Sequence, residues 1–220
     1  MGLRKVRFTG ALLAAGVVVA IGAQVGVFGS EIGRSPSKEI RGVSRKLNAF
    51  WQVKAERAGI SYRPPARIRS HTKPLSTACG RIPMGDSFYC LGDHSIYLDN
   101  RYHARLTVEL GDYASGVLVA HEFAHHIQSL MNWPWSESNR MIRDGAALEL
   151  HADCLAGVST GSALERGSLT RHDLDDARAW MLSHGDLEHG SGSQRQAWFS
   201  HGVRWQSLEK CASVYSAGMP

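Results

Sequence analysis

The chain has 220 residues, 43% of them hydrophobic and 20% charged, with a net charge of +5. That is long enough for one domain with a buried core and too apolar for general disorder. Basic residues form no dense stripe with interleaved aromatics beyond the extreme N-terminus, which argues against nucleic-acid binding.

The N-terminal decade MGLRKVRFTG carries Arg4, Lys5 and Arg7, and the stretch ALLAAGVVVAIGAQVGVFG (11–29) that follows has no charge. A basic cluster before an apolar run reads as an export segment over residues 1–30, and the run is long enough to cross a bilayer as a helix. Ile21 stands where a cleavage site near Ala23 wants a small side chain, so an anchor with its basic end in the cytoplasm is favoured over a cleaved signal. Either form puts residues 31–220 outside the cytoplasm. A polar linker is expected over 31–39 and the main domain over 40–220.

Residues 40–59 have apolar side chains at Ile40, Val43, Leu47, Phe50, Trp51 and Ala55, the spacing of one helical face, with Gly59 as a stop. The prolines of YRPPARIRS then impose an extended path. SFYCLGDHSIYLD (87–99) reads as a hairpin or two short strands around a Gly-Asp turn. A helix is expected from Asp112 to the NWPW stop at 132–135, and a second begins near Asp144 as N-cap and carries GAALELHADCLAGVST. A third starts at Thr170, with Asp173 completing a capping-box pattern. A Gly/Ser/His-rich loop (183–194) leads to a last aromatic helix over 197–205.

Cys79, Cys90, Cys154 and Cys211 make an even set, which in an exported chain suggests two disulfides with three possible pairings. Cys79 and Cys90 flank a Gly/Pro-containing loop and are natural partners, which would leave Cys154 to Cys211. No C-x-x-C pair supports a four-cysteine zinc site.

The stretch VLVAHEFAHHIQ (117–128) contains H-E-x-x-H. On a helix, His121 and His125 share a face one turn apart and can aim nitrogens at one ion. Zinc accepts imidazole and carboxylate ligands in a tetrahedron. Glu122 projects about 100° around the helix, where it can take a proton from water as general base. Chance alone would produce the pattern in roughly 3% of chains this long, so it needs support. LELHADCLAG (148–157) supplies it, with Glu149 as a third ligand and Asp153 to accept the other N–H of a ligand histidine. Incidental polar residues in a core helix would leave these groups buried and unpaired, at a cost of several kcal/mol each. His126 is read as structural or surface. One zinc ion per chain is expected, and no G-x-S-x-G is present for a serine mechanism.

VLVAHEFAHHIQ and LELHADCLAG, with STACG (76–80), FYC (88–90) and IYLD (96–99) before them and EHGSGSQRQAWF (188–199) and Cys211 after, resemble the gluzincin-type putative neutral zinc metallopeptidase family of bacteria. The resemblance covers roughly residues 40–215. It departs at Phe123-Ala124, where the family has Val-Gly, at His151, where it has Gln, and in a shortened LSHGDLEHG segment. It implies a zincin-like α+β domain, mostly helical with a small sheet. It further implies His121, His125 and Glu149 as zinc ligands, Glu122 as general base, Asp153 behind the ligands, and the pairings Cys79–Cys90 and Cys154–Cys211. IYLD is implied as the edge strand that pairs with an extended substrate. A stabiliser for the oxyanion is expected from His189 or Arg195, with Tyr97 and Tyr113 also open. The expected function is a zinc-dependent endopeptidase, membrane-anchored or secreted and acting on peptides or proteins. The alternative is a non-catalytic zinc-containing protein of the same fold that binds extended peptides or an envelope partner.

Overall fold

Helix α1 (Pro36–Arg57) buries Ile40, Leu47, Trp51 and Ala55 on one stripe. It closes at Gly59, whose φ of 74° lets the Ile60 N–H donate back to the Ala55 carbonyl at 2.9 Å. A computed structural model of the protein describes residues 36–131 and 141–213. The helix begins four residues before the expected start, inside the stretch read as linker. A proline is accommodated in a first turn, where its missing N–H would have had no partner. The expected membrane segment, residues 1–30, lies outside the described residues, and among those described no helix is long and apolar enough to cross a membrane.

Five short strands follow: β1 (Arg67–His71), β2 (Leu75–Thr77), β3 (Gly80–Ile82), β4 (Phe88–Cys90) and β5 (Ser95–Asp99). Strands β2 and β3 form a separate two-stranded hairpin. The other three make a sheet in the order β1-β5-β4, with β1 parallel and β4 antiparallel to β5. All five residues of β5 are buried, as a central strand demands. The expectation that IYLD is an edge strand is therefore corrected: β5 is hydrogen-bonded on both sides, and β4, with FYC, stands at the sheet edge.

Asp99 ends β5 and caps α2 (Asn100–Leu110), accepting from the Arg101 and Tyr102 N–H groups at 2.7 and 3.0 Å. Helix α3 (Asp112–Leu130) follows and is buried continuously from Ala114 to Gln128. Beyond residue 140 come α4 (Met141–Glu165), α5 (Arg171–Ser183), α6 (Gly192–Trp205) and α7 (Leu208–Ala212). Helix α4 already runs at Met141, so Asp144 lies inside it and not at its N-cap. Thr170 and Asp173 do form the capping box of α5, and Ser191 with Gln194 forms another for α6. Helices α4 and α6 approach backbone to backbone at their glycines. A Cβ on Gly202 would sit 1.9 Å from the Cys154 carbonyl oxygen, and one on Gly157 2.1 Å from that of Phe199. Disulfides join Cys79 to Cys90 and Cys154 to Cys211, the second tying α7 to α4. The result is a mostly helical α+β fold with a small sheet.

Candidate metal centre

Helices α3 and α4 bring His121, His125 and Glu149 to one point. The two Nε2 atoms are 3.1 Å apart, and Glu149 Oε2 lies 3.0 Å from one and 3.2 Å from the other. The remaining ring nitrogens are committed as donors. His121 Nδ1 donates to Asp153 Oδ1 at 2.9 Å, and His125 Nδ1 to Gln128 Oε1 at 2.8 Å. Gln128 is itself fixed, because its amide donates to the Leu148 carbonyl at 2.8 Å. In the neutral tautomer that donates from Nδ1, each Nε2 turns a lone pair toward the other and toward a carboxylate oxygen. Three such atoms at this spacing need positive charge among them, as protons on the imidazoles or as a metal ion.

The donor set fits zinc. With ligand arms of about 2.0–2.1 Å, the edges of a tetrahedron measure about 3.3 Å, close to the observed triangle. Two imidazoles and one carboxylate leave a fourth position open, as hydrolytic sites do and structural sites do not. Thiolates are excluded, since the described structure has no free cysteine. The acid–base balance shows a demand for positive charge at this point, which protons on the imidazoles meet as well as a metal would. Burial works against charge on His121 and His125, but the neighbouring carboxylates reverse this and raise both. Burial likewise opposes ionisation of Glu149, and the two imidazoles overcome it and hold its carboxyl well below the usual range.

Asp153 is fully buried and is the hinge of a longer chain of contacts. Its two oxygens accept from Arg195 Nε and Nη2 at 2.9 Å each, in the bidentate geometry that suits guanidinium to carboxylate. Arg195 also donates from Nη1 to the His184 carbonyl at 2.7 Å and lies over the Trp180 ring at 4.8 Å. Expected as a candidate oxyanion donor, it is 2% exposed with its guanidinium clamped behind the site, so its part is to hold Asp153. The other candidate, His189, is better placed. Its Nε2 is 3.7 Å from Glu149 Oε2, and its Nδ1 is 2.9 Å from Asp186 Oδ1. The loop that carries it is pinned by Gly192, where a Cβ would meet the Leu182 carbonyl oxygen at 1.9 Å.

Tyr97 and Tyr113 point their hydroxyls elsewhere, to Asp93 at 2.7 Å and to Thr160 at 3.0 Å. His126 is structural, with Nε2 2.7 Å from the Arg63 carbonyl oxygen. Glu122 is 4% exposed, and its Oε2 has no hydrogen-bond partner among the described residues. Burial raises its pKa, opposed by the two histidines. His121 and Glu122 line a cleft of about 780 Å³ whose walls come from the 79–88 segment and from the end of α5 with the loop after it. Gln128 and Asp186 were missed in the sequence. Their signal is spacing, since each lies three residues from the histidine it orients.

The family profile for putative neutral zinc metallopeptidases matches residues 30–186. The chain belongs to this family. The matched span of this metallopeptidase-family chain holds His121, Glu122, His125, Glu149 and Asp153 and stops before His189 and Arg195, short of the extent the resemblance suggested. The Escherichia coli K12 relative named "Uncharacterized protein YpfJ" is 31% identical over 183 residues, covering 69% of this chain and 62% of that protein. The Mycobacterium tuberculosis H37Rv relative named "Uncharacterized protein Rv2575" is 28% identical over 215 residues, covering 78% and 73%. The chain thus spans less than two thirds of the length of the Escherichia coli relative. No solved structure matches the chain.

Proposed function

We propose that this protein is a zinc-dependent endopeptidase with a zincin-like domain, acting outside the cytoplasm. Residues 1–30 would serve as anchor or signal, with the catalytic domain behind them. The observation that carries the reading is the convergence of His121 Nε2, His125 Nε2 and Glu149 Oε2, mutually within 3.2 Å, beside the buried carboxylate of Glu122. When bound, zinc supplies a Lewis acid that acidifies water and polarises a carbonyl.

The chain's own residues do the rest. Arg195 holds Asp153, Asp153 fixes the tautomer and tilt of His121, and Gln128 does the same for His125. Glu122 takes a proton from the attacking water on its carboxylate. It then delivers that proton to the amide nitrogen as the carbon–nitrogen bond breaks, so one group acts as base and then acid. Its raised pKa suits a group that must hold a proton between two steps. His189, oriented by Asp186, is assigned to the carbonyl oxygen as it gains charge. Extended peptide would pair with the free edge of β4, since Ser87 and Phe88 line the cleft. The two disulfides support an oxidising compartment.

The test is digestion of an unfolded protein by the zinc-loaded full-length chain in mild detergent, beside Glu122→Gln prepared identically. Cleavage by the wild type alone, abolished by a chelator and restored by zinc, is expected. Cleavage that persists in Glu122→Gln would contradict the assignment. Zinc-loaded wild type that cuts nothing would favour the binding-protein alternative.

A further inference from the structure

Gly85 and Tyr102 belong to two cavities. They line the cleft, and they also line a smaller pocket of about 240 Å³ whose other walls are Met84, Asp99, Arg101 and Arg105. Arg101 and Arg105 stand four residues apart on α2, so both guanidinium groups rise from one face of the helix beside Tyr102. Arg105 lies over the Tyr102 ring at 5.2 Å, and Arg101 Nη1 lies 3.7 Å from the Met84 sulfur.

Neither charge is neutralised within the pocket. Arg101 makes no ion pair among the described residues, and Arg105 meets Glu109 at 3.9 Å with both side chains more than half exposed. Such an exposed contact holds weakly and water can replace it. The one carboxylate lining the pocket, that of Asp99, is fully buried and committed to the backbone. Its Oδ1 accepts from the Arg101 and Tyr102 N–H groups at 2.7 and 3.0 Å, and its Oδ2 from the Gly85 N–H at 3.0 Å. Burial opposes ionisation of Asp99, and these N–H groups with nearby His71 overcome it and lower its pKa. The same three hydrogen bonds tie the rim at Gly85 to the first turn of α2, so the pocket is held in shape by the fold.

We propose that Arg101 and Arg105 bind a carboxylate of the peptide substrate, from an Asp or Glu side chain or from its C-terminus, and so help to select where the chain is cut. This rests on the peptidase reading above. Two neighbouring guanidinium groups offer planar, paired N–H donors that match a carboxylate, and the pocket holds no free acid to compete for them. The distance to the metal ligands sets the reach. Three ring contacts lead from Tyr102 to His121, by way of His184 at 6.2 Å, Trp180 at 5.2 Å and His121 itself at 6.1 Å. An extended chain rises about 3.3 Å per residue, so the carboxylate belongs to a residue no more than about five positions from the cut bond.

Two readouts test this with the zinc-loaded full-length chain. In the first, a complex peptide mixture is digested and the cut bonds are read by mass spectrometry. Carboxylates should be enriched roughly fivefold at one fixed distance from the cut, and less so as salt rises. Arg101→Glu combined with Arg105→Glu should turn that preference toward Lys and Arg with zinc content unchanged. In the second, zinc-loaded Glu122→Gln is titrated with uncut peptide pairs. One pair is capped at both ends and differs by Glu against Gln; the other has no acidic side chain and differs by a free against an amidated C-terminus. One pair should show roughly fivefold tighter binding of the carboxylate form, lost when the two arginines are reversed. A difference in the first pair assigns the carboxylate to a side chain, and a difference in the second assigns it to the chain end. No enrichment at any position, equal binding in both pairs, or a preference that survives reversal of both arginines overturns the carboxylate pocket and leaves the peptidase reading standing. An arginine-dependent difference in binding with no cleavage by the wild type overturns the peptidase reading and leaves the pocket.

Discussion

Replacing Asp153 with asparagine should loosen the metal centre and destabilise the protein together. The carboxylate is fully buried and makes three charge-assisted hydrogen bonds, to His121 Nδ1 and to Arg195 Nε and Nη2, each at 2.9 Å. An asparagine keeps the size but offers one acceptor and one donor. If its oxygen faces His121, its amide meets the Arg195 donors; if it faces Arg195, its amide meets the His121 N–H. In both cases a guanidinium 2% exposed loses its counter-charge. Removing one member of a buried ion pair costs about 3–5 kcal/mol. Weakening the group behind a metal histidine lowers affinity by about 10- to 100-fold. Denaturant unfolding in chelator measures the first quantity, and competition with a chromophoric zinc chelator the second. Adding Arg195→Gln to Asp153→Asn should recover part of the stability, because the uncompensated charge goes with it. Zinc affinity and unfolding midpoint unchanged in Asp153→Asn would refute the linkage from Arg195 through Asp153 to His121.

Burial holds the His103 pKa down to about 4, opposed by nearby Asp99 and by Ser115, whose Oγ is 2.8 Å from Nδ1. An unfolded chain protonates this histidine near 6.5, so its share of stability is fully present above that pH and is lost as pH falls toward about 4. The loss is on the order of 3 kcal/mol, read as a flatter pH–stability curve in His103→Gln. Reducing Cys154–Cys211, which are separated by 57 residues, should cost about 4 kcal/mol by loop entropy, measured by unfolding of Cys154→Ser with Cys211→Ser. Gly192→Ala must displace the Leu182 carbonyl from 1.9 Å, so it should lower the melting temperature and shift the His189 loop, cutting activity more than zinc content.

How legible the fold and site were depended on the range of the interaction. Helix α3 announced itself because its apolar residues and its polar triplet share one short segment, and the α5 capping box needed only Thr170 and Asp173. Helix α2 was hidden because Asp99 is at once the last residue of β5 and the N-cap, leaving no turn residue between them. Strands β2 and β3 are three residues long, too short for an alternation to show. His121, His125 and Glu149 could be read because two of them share a helical face and the third sits in an apolar segment that would otherwise hold no charge. Arg195 could not, since an arginine in a polar motif reads as a free donor, and its partner Asp153 is 42 residues away in sequence. The same holds for the sheet edge: IYLD is apolar enough for any strand, and only the partners on both sides make it central.

The most direct measurement is X-ray absorption at the zinc edge on the purified full-length chain, with zinc content determined in parallel for wild type, Glu122→Gln and His125→Ala. One zinc per chain is expected in the first two and loss in the third, with a first shell of two imidazole nitrogens and oxygen at about 2.0–2.1 Å and no sulfur. A sulfur shell, or zinc retained in His125→Ala with an unchanged spectrum, would contradict a centre built on His121, His125 and Glu149.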